Sequence, residues 1–495
     1  MRFTIVFMSI PLFLFGVLNA IPVDRYEALN VIKSKLIRDG QDADFSIADC
    51  IVLEGGQGNE TLAFAFELSP AGYIVTSADN ELPPVIAFSY SNNCRVEGEE
   101  NSVLLDMIKT DMELRLSSLH DAPSELLQLH RTWWEEYSSG KYVLLSDHLR
   151  EQWPPAGTTP TEGWLMENWT QSAPYNNYCP MDLTSSSRSL AGCPAVAMAS
   201  ILNFEETTKG TQFSDADDYQ HNYYENYWID DDHIAHDFPS WPELNVYLDT
   251  LENHYINHET ITSSDKAALV YACGAACKQV YSASGSGTYG VGQAYDAYLK
   301  FNFTSCSLLE ASSDSLYERL SENMIGAMPA HLAVVDAEPP TCGHNLIIDG
   351  YNTDEFYHLN FGWGGSYNGW YQFPLSGMPY SLNIIEGIIL DIGEGLLSVE
   401  GESSSDENTS FLILSCPVNP VSDCLDVNIT VMRECRVNVS VYGISGRLLE
   451  TIADEEFNQG SHRISWVPGN AVSGVYIVRA SGLHGTETVK FTLLE

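Results

Sequence analysis

The chain has 495 residues, room for about three domains at ~150 residues each, and its 23 Lys+Arg against 67 Asp+Glu give a formal net charge of −44. So acidic a balance excludes a nucleic-acid binder and an anionic membrane surface as partner, since both select for clustered Lys and Arg. A hydrophobic content of 44% with 10 Trp, 26 Tyr and 19 Phe supplies packed cores, so the acidity belongs to the surface of a folded protein.

Residues 1–20 read as a signal peptide: Met1-Arg2, an apolar run from Phe3 to Val17, and a cleavage point after Ala20. Pro11 and Gly16 interrupt a run already short for a bilayer span. No later segment reaches ~18 uninterrupted apolar residues, so the mature chain is expected to lack a transmembrane segment and to be exported, where disulfides are permitted. Residues 21–150 read as a small α+β unit. Asp24 to Arg38 is expected to be a helix with Leu29, Ile32 and Leu36 on one face. Leu62 to Leu68 and Tyr73 to Thr76 form a hairpin around Ser69-Pro70-Ala71-Gly72, and Leu104, Ile108 and Met112 mark a second helix. Residues 151–163, with Pro154, Pro155, Gly157 and Pro160, read as an exposed connection.

A second block, 151–397, holds most of the aromatic residues and glycines. Residues 398–410 are short, polar and acidic, a flexible linker. In 411–495 the pattern becomes strict alternation, with Leu425, Val427, Ile429 and Val431 in one run and Val437, Val439 and Val441 in another. Short strands with turns between them predict a β-sandwich of about 80 residues.

The sharpest local feature is Ala191-Gly192-Cys193-Pro194 followed by a small, apolar run to Leu202. Proline suits a first helical turn, so a buried helix is expected to start at Cys193. A thiol there feels the positive end of the helix dipole, which favours thiolate near neutral pH. A lone cysteine is more often an inert core residue, so the pairing with a base decides. His344, between Gly343 and the strand-like Leu346 to Ile348, lies 151 residues later, close to the ~130–150 that separates nucleophile and base in papain-like proteases. Asn360, ending a strand before Phe361-Gly362-Trp363, can accept the imidazole N–H and fix its tautomer, with Phe361 and Trp363 shielding that bond from water. Gln171, in Asn168-Trp169-Thr170-Gln171, can join the Cys193 backbone N–H as an oxyanion donor.

Taken together, Gln171, Gly192-Cys193 opening an Ala-rich helix, Gly343-His344 followed by Asp349-Gly350-Tyr351, and Asn360 to Gly365 resemble the streptopain family. These are secreted bacterial papain-like cysteine endopeptidases made as zymogens. Phe66 to Asp79, Leu82 to Ala87 and the Gly285-Ser286-Gly287 loop extend the resemblance, which covers about residues 25–395. It implies an inhibitory propeptide and a papain-like catalytic domain, which with the all-β immunoglobulin-like sandwich predicted beyond the linker make the chain α+β. It also implies Cys193 as nucleophile, His344 as base and acid, Gln171 as oxyanion donor, and Asn360 and Trp363 as imidazole support. Protein or peptide substrates and the chain's own propeptide would be its partners, and no cofactor or metal is implied. The family usually has Val where Pro194 stands, Trp where Phe361 stands and a small residue where Asn345 stands. These departures bear on rate and specificity, and they motivate the alternative of a surface binding protein on a degenerate protease scaffold; an amidase or transpeptidase on the same Cys-His pair is a third reading.

The C-terminal block, through Pro417 to Pro420, Val441 to Leu449 and Ser473 to Arg479, resembles the sorting domain of the type IX secretion system. That implies passage across an outer membrane and an extracellular or surface location, with the secretion machinery as a partner. The generic alternative is an immunoglobulin-like binding module. His233 with His236, and His254 with His258, have metal-like spacing without a matched ligand elsewhere, so packed or solvated histidines are expected. The acidic runs Asp215 to Asp218 and Asp230 to Asp232 do not follow an EF-hand loop. The cysteines number eleven; with Cys193 set aside, the remaining ten are even in number and compatible with bridging.

Overall fold

Asp24 accepts hydrogen bonds from the Tyr26 and Glu27 amides while the Glu27 carboxylate accepts one from the Asp24 amide, and this capping box starts α1, Arg25–Arg38. α1 buries Ala28, Val31, Ile32, Lys35 and Leu36, so its apolar face is rotated from the expected one and Leu29 lies at its edge. The computed structural model of the chain describes residues 22–56, 60–95, 102–139, 151–257, 259–313, 315–335, 343–373, 385–393, 412–415, 421, 424–431, 435–443, 448–468, 474–482 and 485–493. The expected signal peptide and linker, His258, Cys342 and Pro417 to Pro420 lie outside the described residues.

An antiparallel meander follows: β1 Ser46–Glu54, β2 Thr61–Ser69, β3 Tyr73–Ser77 and β4 Val85–Ser89. The expected hairpin is β2–β3; at its turn Gly72 has φ +104°, and a Cβ there would stand 2.5 Å from the Ser89 carbonyl oxygen. Helix α2, Val103–Ser118, lays Leu104, Ile108 and Met112 into the core as the spacing predicts, and α3 is Ser124–Ser139.

The second block comprises β5 Gln152–Trp153, β6 Met181–Asp182, β7 Ser187–Arg188, α4 Cys193–Phe204, β8 Tyr219–Tyr223, β9 Glu225–Ile229, α5 His233–His236, α6 Trp241–Asn257, α7 Ser263–Ala276, α8 Val291–Lys300, β10 Ser307–Leu309, α9 Leu316–Ile325, β11 Ala330–Val335, β12 Gly343–Asn352, β13 Phe356–Asn360, β14 Gly369–Gln372 and β15 Ile385–Leu390. One sheet runs β1-β2-β3-β4-β14-β13-β12-β11-β15-β10, with β5 paired to β12. The two blocks therefore share a sheet, joined where Phe88 lies opposite Trp370 and Ala87 opposite Tyr371. Aromatic packing explains this join: Phe88 stacks on Trp370 at 6.3 Å and meets Phe356 edge-on at 5.2 Å. Beside it the Tyr73 and Tyr371 hydroxyls lie 2.5 Å apart, and Arg38 forks onto both Asp354 oxygens at 2.6 Å.

The connection expected to be exposed is only partly so. Gln152–Trp153 completes a strand against Tyr351 and Asn352, and Pro154, Thr161, Gly163 and Trp164 are buried. The reason is Asp349, whose carbonyl accepts from the Trp164 amide at 2.6 Å and whose carboxylate accepts from Leu165 at 3.2 Å. On one side of the sheet α4 packs against α7 and β12 within a core that includes Met198, Ile201, Leu202, Leu269 and Ile347.

The C-terminal block folds as two antiparallel sheets. β16 Leu412–Ser415, β17 Leu425–Val431 and β20 Gly460–Trp466 form one; β18 Cys435–Gly443, β19 Leu448–Phe457, β21 Gly474–Gly482 and β22 Gly485–Leu493 form the other. The predicted alternation is the core: Leu425, Val427, Ile429 and Val431 from one sheet face Val437, Val439 and Val441 from the other. Cys50, Cys94, Cys179, Cys193, Cys273, Cys277, Cys306 and Cys424 are free thiols, so the even remainder of ten does not become bridges among the described residues.

Candidate active site

The segment before α4 is pinned from two directions. The Ala191 amide donates to the Gln171 carbonyl at 2.9 Å, and the Ala191 carbonyl accepts from Gln279 Nε2 at 2.6 Å. Gly192 then turns the chain with φ +85°, a conformation that suits glycine, and Pro194 occupies the first turn of the helix. The residues from Pro194 to Leu202 are all buried, as the small apolar sequence predicts. Cys193 itself is half-buried at the N-terminus of α4.

The thiol differs from the expectation. Burial pushes the Cys193 thiol above its ordinary pKa, and hydrogen bonds from the Asn345 main chain and side chain only partly offset this. Loss of hydration outweighs the helix dipole in this state. Asn345 Nδ2 donates to Cys193 Sγ at 4.0 Å, the sulfur's side-chain partner among the described residues.

His344 is carried by β12 opposite Val334 of β11. Its Nε2 bonds the Phe361 carbonyl oxygen at 2.9 Å. The Trp363 ring stacks on the imidazole at 4.2 Å, with the Phe361 ring at 6.0 Å. Burial pushes His344 down to about 4, the Phe361 carbonyl acting against this and His331 adding to it. Both members of the predicted pair are thus uncharged at neutral pH. The imidazole-to-sulfur hydrogen bond is not made among the described residues, and such bonds are often long before substrate binds.

Asn360 departs from its expected contact. It ends β13 opposite Ile347, but its Oδ1 accepts from the Gly362 amide at 3.0 Å and its Nδ2 donates to Asn168 Oδ1 at 3.3 Å. The imidazole is held by the next carbonyl instead, because the chain turns at Gly362 (φ +68°). The amide network also takes in Asn368, whose Oδ1 accepts from Phe361 N and whose Nδ2 donates to Asn168 Oδ1, both at 2.9 Å. Trp363 covers the ring as expected. Gln171 is half-buried and tied to the nucleophile segment through its carbonyl.

The other singled-out residues serve the fold. His236 stacks on Tyr227 at 3.7 Å, His233 Nδ1 bonds the Asp230 carbonyl at 2.9 Å, and His254 Nδ1 bonds Asp265 at 2.9 Å. Cys273 and Cys277 are packed in the core. Sequence reasoning missed Gln279, Asn168, Asn368 and His331; the first three carry no local signal beyond being amides, and their roles come from distant contacts.

A cysteine opening a buried helix, with a histidine on the neighbouring sheet beneath a tryptophan, is the arrangement that the streptopain resemblance implies. Residues 169–371 match the model of the Peptidase C10 family. The chain is 22% identical over 381 residues to the thiol protease/hemagglutinin PrtT of Porphyromonas gingivalis, a match covering 71% of this chain and 39% of that protein. The chain thus spans well under half the length of this curated relative. Among solved structures, a Prevotella intermedia prointerpain A fragment is 18% identical, covering 70% of this chain and 99% of that one at a TM-score of 0.45. Active Prevotella intermedia interpain A is 22% identical, covering 47% and 94% at a TM-score of 0.34. Among the described residues no helix is long and apolar enough to cross a membrane.

Proposed function

We propose that this chain is a secreted cysteine endopeptidase made as a zymogen, acting on protein or peptide substrates. The observation that carries the reading is Cys193 at the head of a buried helix, its preceding residue tied to Gln171 and its neighbouring strand bearing His344 beneath Trp363. The Cys193 thiolate attacks a peptide carbonyl, and the Gln171 side chain with the Cys193 N–H holds the oxyanion. His344 accepts the thiol proton and returns it to the leaving amine; water then hydrolyses the thioester with His344 as base. Trp363 and the Phe361 carbonyl hold the imidazole.

The shared sheet supports residues 21–150 as an inhibitory propeptide preceding a catalytic domain of 151–397. The raised thiol and lowered imidazole support a latent pair in the full chain. The sandwich 411–495, beyond the linker 398–410, is read as a type IX sorting domain delivering the enzyme to the outer surface or medium after loss of residues 1–20. The test is intact mass and N-terminal sequence of the exported chain with and without Cys193→Ala. The wild type should lose its propeptide and the variant retain it. Chain freed of propeptide that neither cleaves an unfolded protein nor takes up a thiol-directed label at Cys193 would refute the assignment. The want of an imidazole-to-sulfur hydrogen bond among the described residues favours a second reading, a binding protein on a silent scaffold, which predicts binding that survives Cys193→Ala without turnover in the wild type.

A further inference from the structure

Asn345 stands where the family resemblance expects a small residue, and a chain of polar contacts from three other elements fixes it. Its Nδ2 points to Cys193 Sγ at 4.0 Å, and its Oδ1 lies 2.8 Å from His331 Nε2. His331 Nδ1 lies 3.2 Å from the Tyr298 hydroxyl, and the two rings meet edge-on at 5.8 Å. Tyr298 and His331 are fully buried. The elements are α8, β11, β12 and the head of α4, converging on one sulfur.

The directions of these bonds follow from the atoms. An amide oxygen only accepts, so His331 Nε2 carries the proton, and Nδ1 then accepts from the Tyr298 hydroxyl. With its oxygen held in this way, Asn345 can only present N–H to the sulfur. The strand register makes the contact possible: Asn345 faces Ala333 across β11 and β12, and His331 lies two residues along the same face, within diagonal reach. Burial pushes His331 down to about 4, so this tautomer persists uncharged at neutral pH. The titratable groups around the sulfur are His344 on β12, His331 on β11, Tyr298 on α8 and Cys277 after α7.

We propose that Asn345 is a catalytic donor to the Cys193 sulfur, and that His331, backed by Tyr298, is the positioning residue that aims it. When the thiol proton passes to His344, the sulfur keeps the electron pair and the Asn345 N–H becomes a charge-assisted donor to the thiolate. The proposal rests on Cys193 being the nucleophile.

The experiment is the pH profile of iodoacetamide alkylation at Cys193 in the full chain, read by mass spectrometry of the Cys193 peptide. Asn345→Ala should raise the apparent thiol pKa by about one unit, leaving ~tenfold less thiolate at a fixed pH below it. Asn345→Asp keeps the volume and the His331 bond but replaces the donor by a negative charge, and should shift the profile further in the same direction. His331→Leu should shift it as Asn345→Ala does. His331→Gln retains an N–H and should restore the wild-type profile, which a merely structural role would not require. Superimposable profiles for wild type, Asn345→Ala and Asn345→Asp, all with folded melting transitions, would overturn the proposal. A wild-type Cys193 that does not alkylate at any pH, in the full chain or in chain freed of the residues before 151, sinks the nucleophile reading and this proposal with it.

Discussion

Substituting Gly192 by alanine strikes the segment that aims the proposed nucleophile. Gly192 has φ +85° and ψ 136°, outside the left-handed helical region and in backbone space that costs an L-residue about 1–3 kcal/mol. The new Cβ would stand 2.6 Å from Gln279 Oε1 and 3.0 Å from its Nε2. Gln279 is fully buried and cannot swing into solvent. Moving it breaks the 2.6 Å bond to the Ala191 carbonyl and leaves a buried acceptor unpaired, about 1–3 kcal/mol more. The sum is about 2–6 kcal/mol, or roughly 4–24 °C in the melting temperature of a unit of this size. A displacement of Cys193 by about 1 Å should lower turnover by ~10²-fold. Calorimetry and peptide turnover read the two effects, and adding Gln279→Ala should recover part of the stability by removing the clash. A Gly192→Ala protein that melts within about 1 °C of wild type with unchanged turnover would refute the reasoning.

Arg38→Ala strips Asp354 of a mostly buried partner and should weaken the join between the blocks by about 3 kcal/mol; limited proteolysis in a Cys193→Ala background should release residues before 151 faster than in its Arg38 parent. Asp349→Ala leaves His358, bonded at 2.6 Å, and the Leu165 amide without their partner, so the urea midpoint should fall by an amount equivalent to about 3–5 kcal/mol. His130 and His331 are held by burial at about 4 against an ordinary value of 6.5. The unfolded chain therefore takes up protons first as pH falls, and stability present above pH ~6.5 should decline toward pH ~4 by up to about 3 kcal/mol for each. A urea midpoint unchanged between those limits would contradict the assignment. Trp363→Ala uncovers the His344 ring and should raise the imidazole pKa, seen by NMR titration as a shift toward the ordinary value.

What could be read without coordinates was local. The helix from about Asp24 to Arg38, the Gly192-Cys193-Pro194 helix start and the alternation of β17 and β18 each follow from neighbouring residues, and each appears as read. What could not be read depended on pairing at a distance. His331 sits in an ordinary apolar strand, and only the β11–β12 register brings it diagonal to Asn345. Asn360 advertised an amide near the imidazole, but whether the amide or the following carbonyl meets the ring depends on the turn at Gly362. The helix dipole at Cys193 was legible, whereas the dehydration that overrides it comes from side chains contributed by other segments.

The join between β4 and β14 spans two residue pairs, against eight between β1 and β2. It is the narrow seam of a wide fabric, so the sheet should tear there before its meander unravels. Once torn, β14 becomes an outermost strand, and its bare amides and carbonyls offer a template onto which any extended chain can lay itself. Trp370 and Tyr371, now interior, would lie along that rim. Release of the first block would therefore create an adhesive margin, and the freed protein's colloidal behaviour would be governed by what next occupies it.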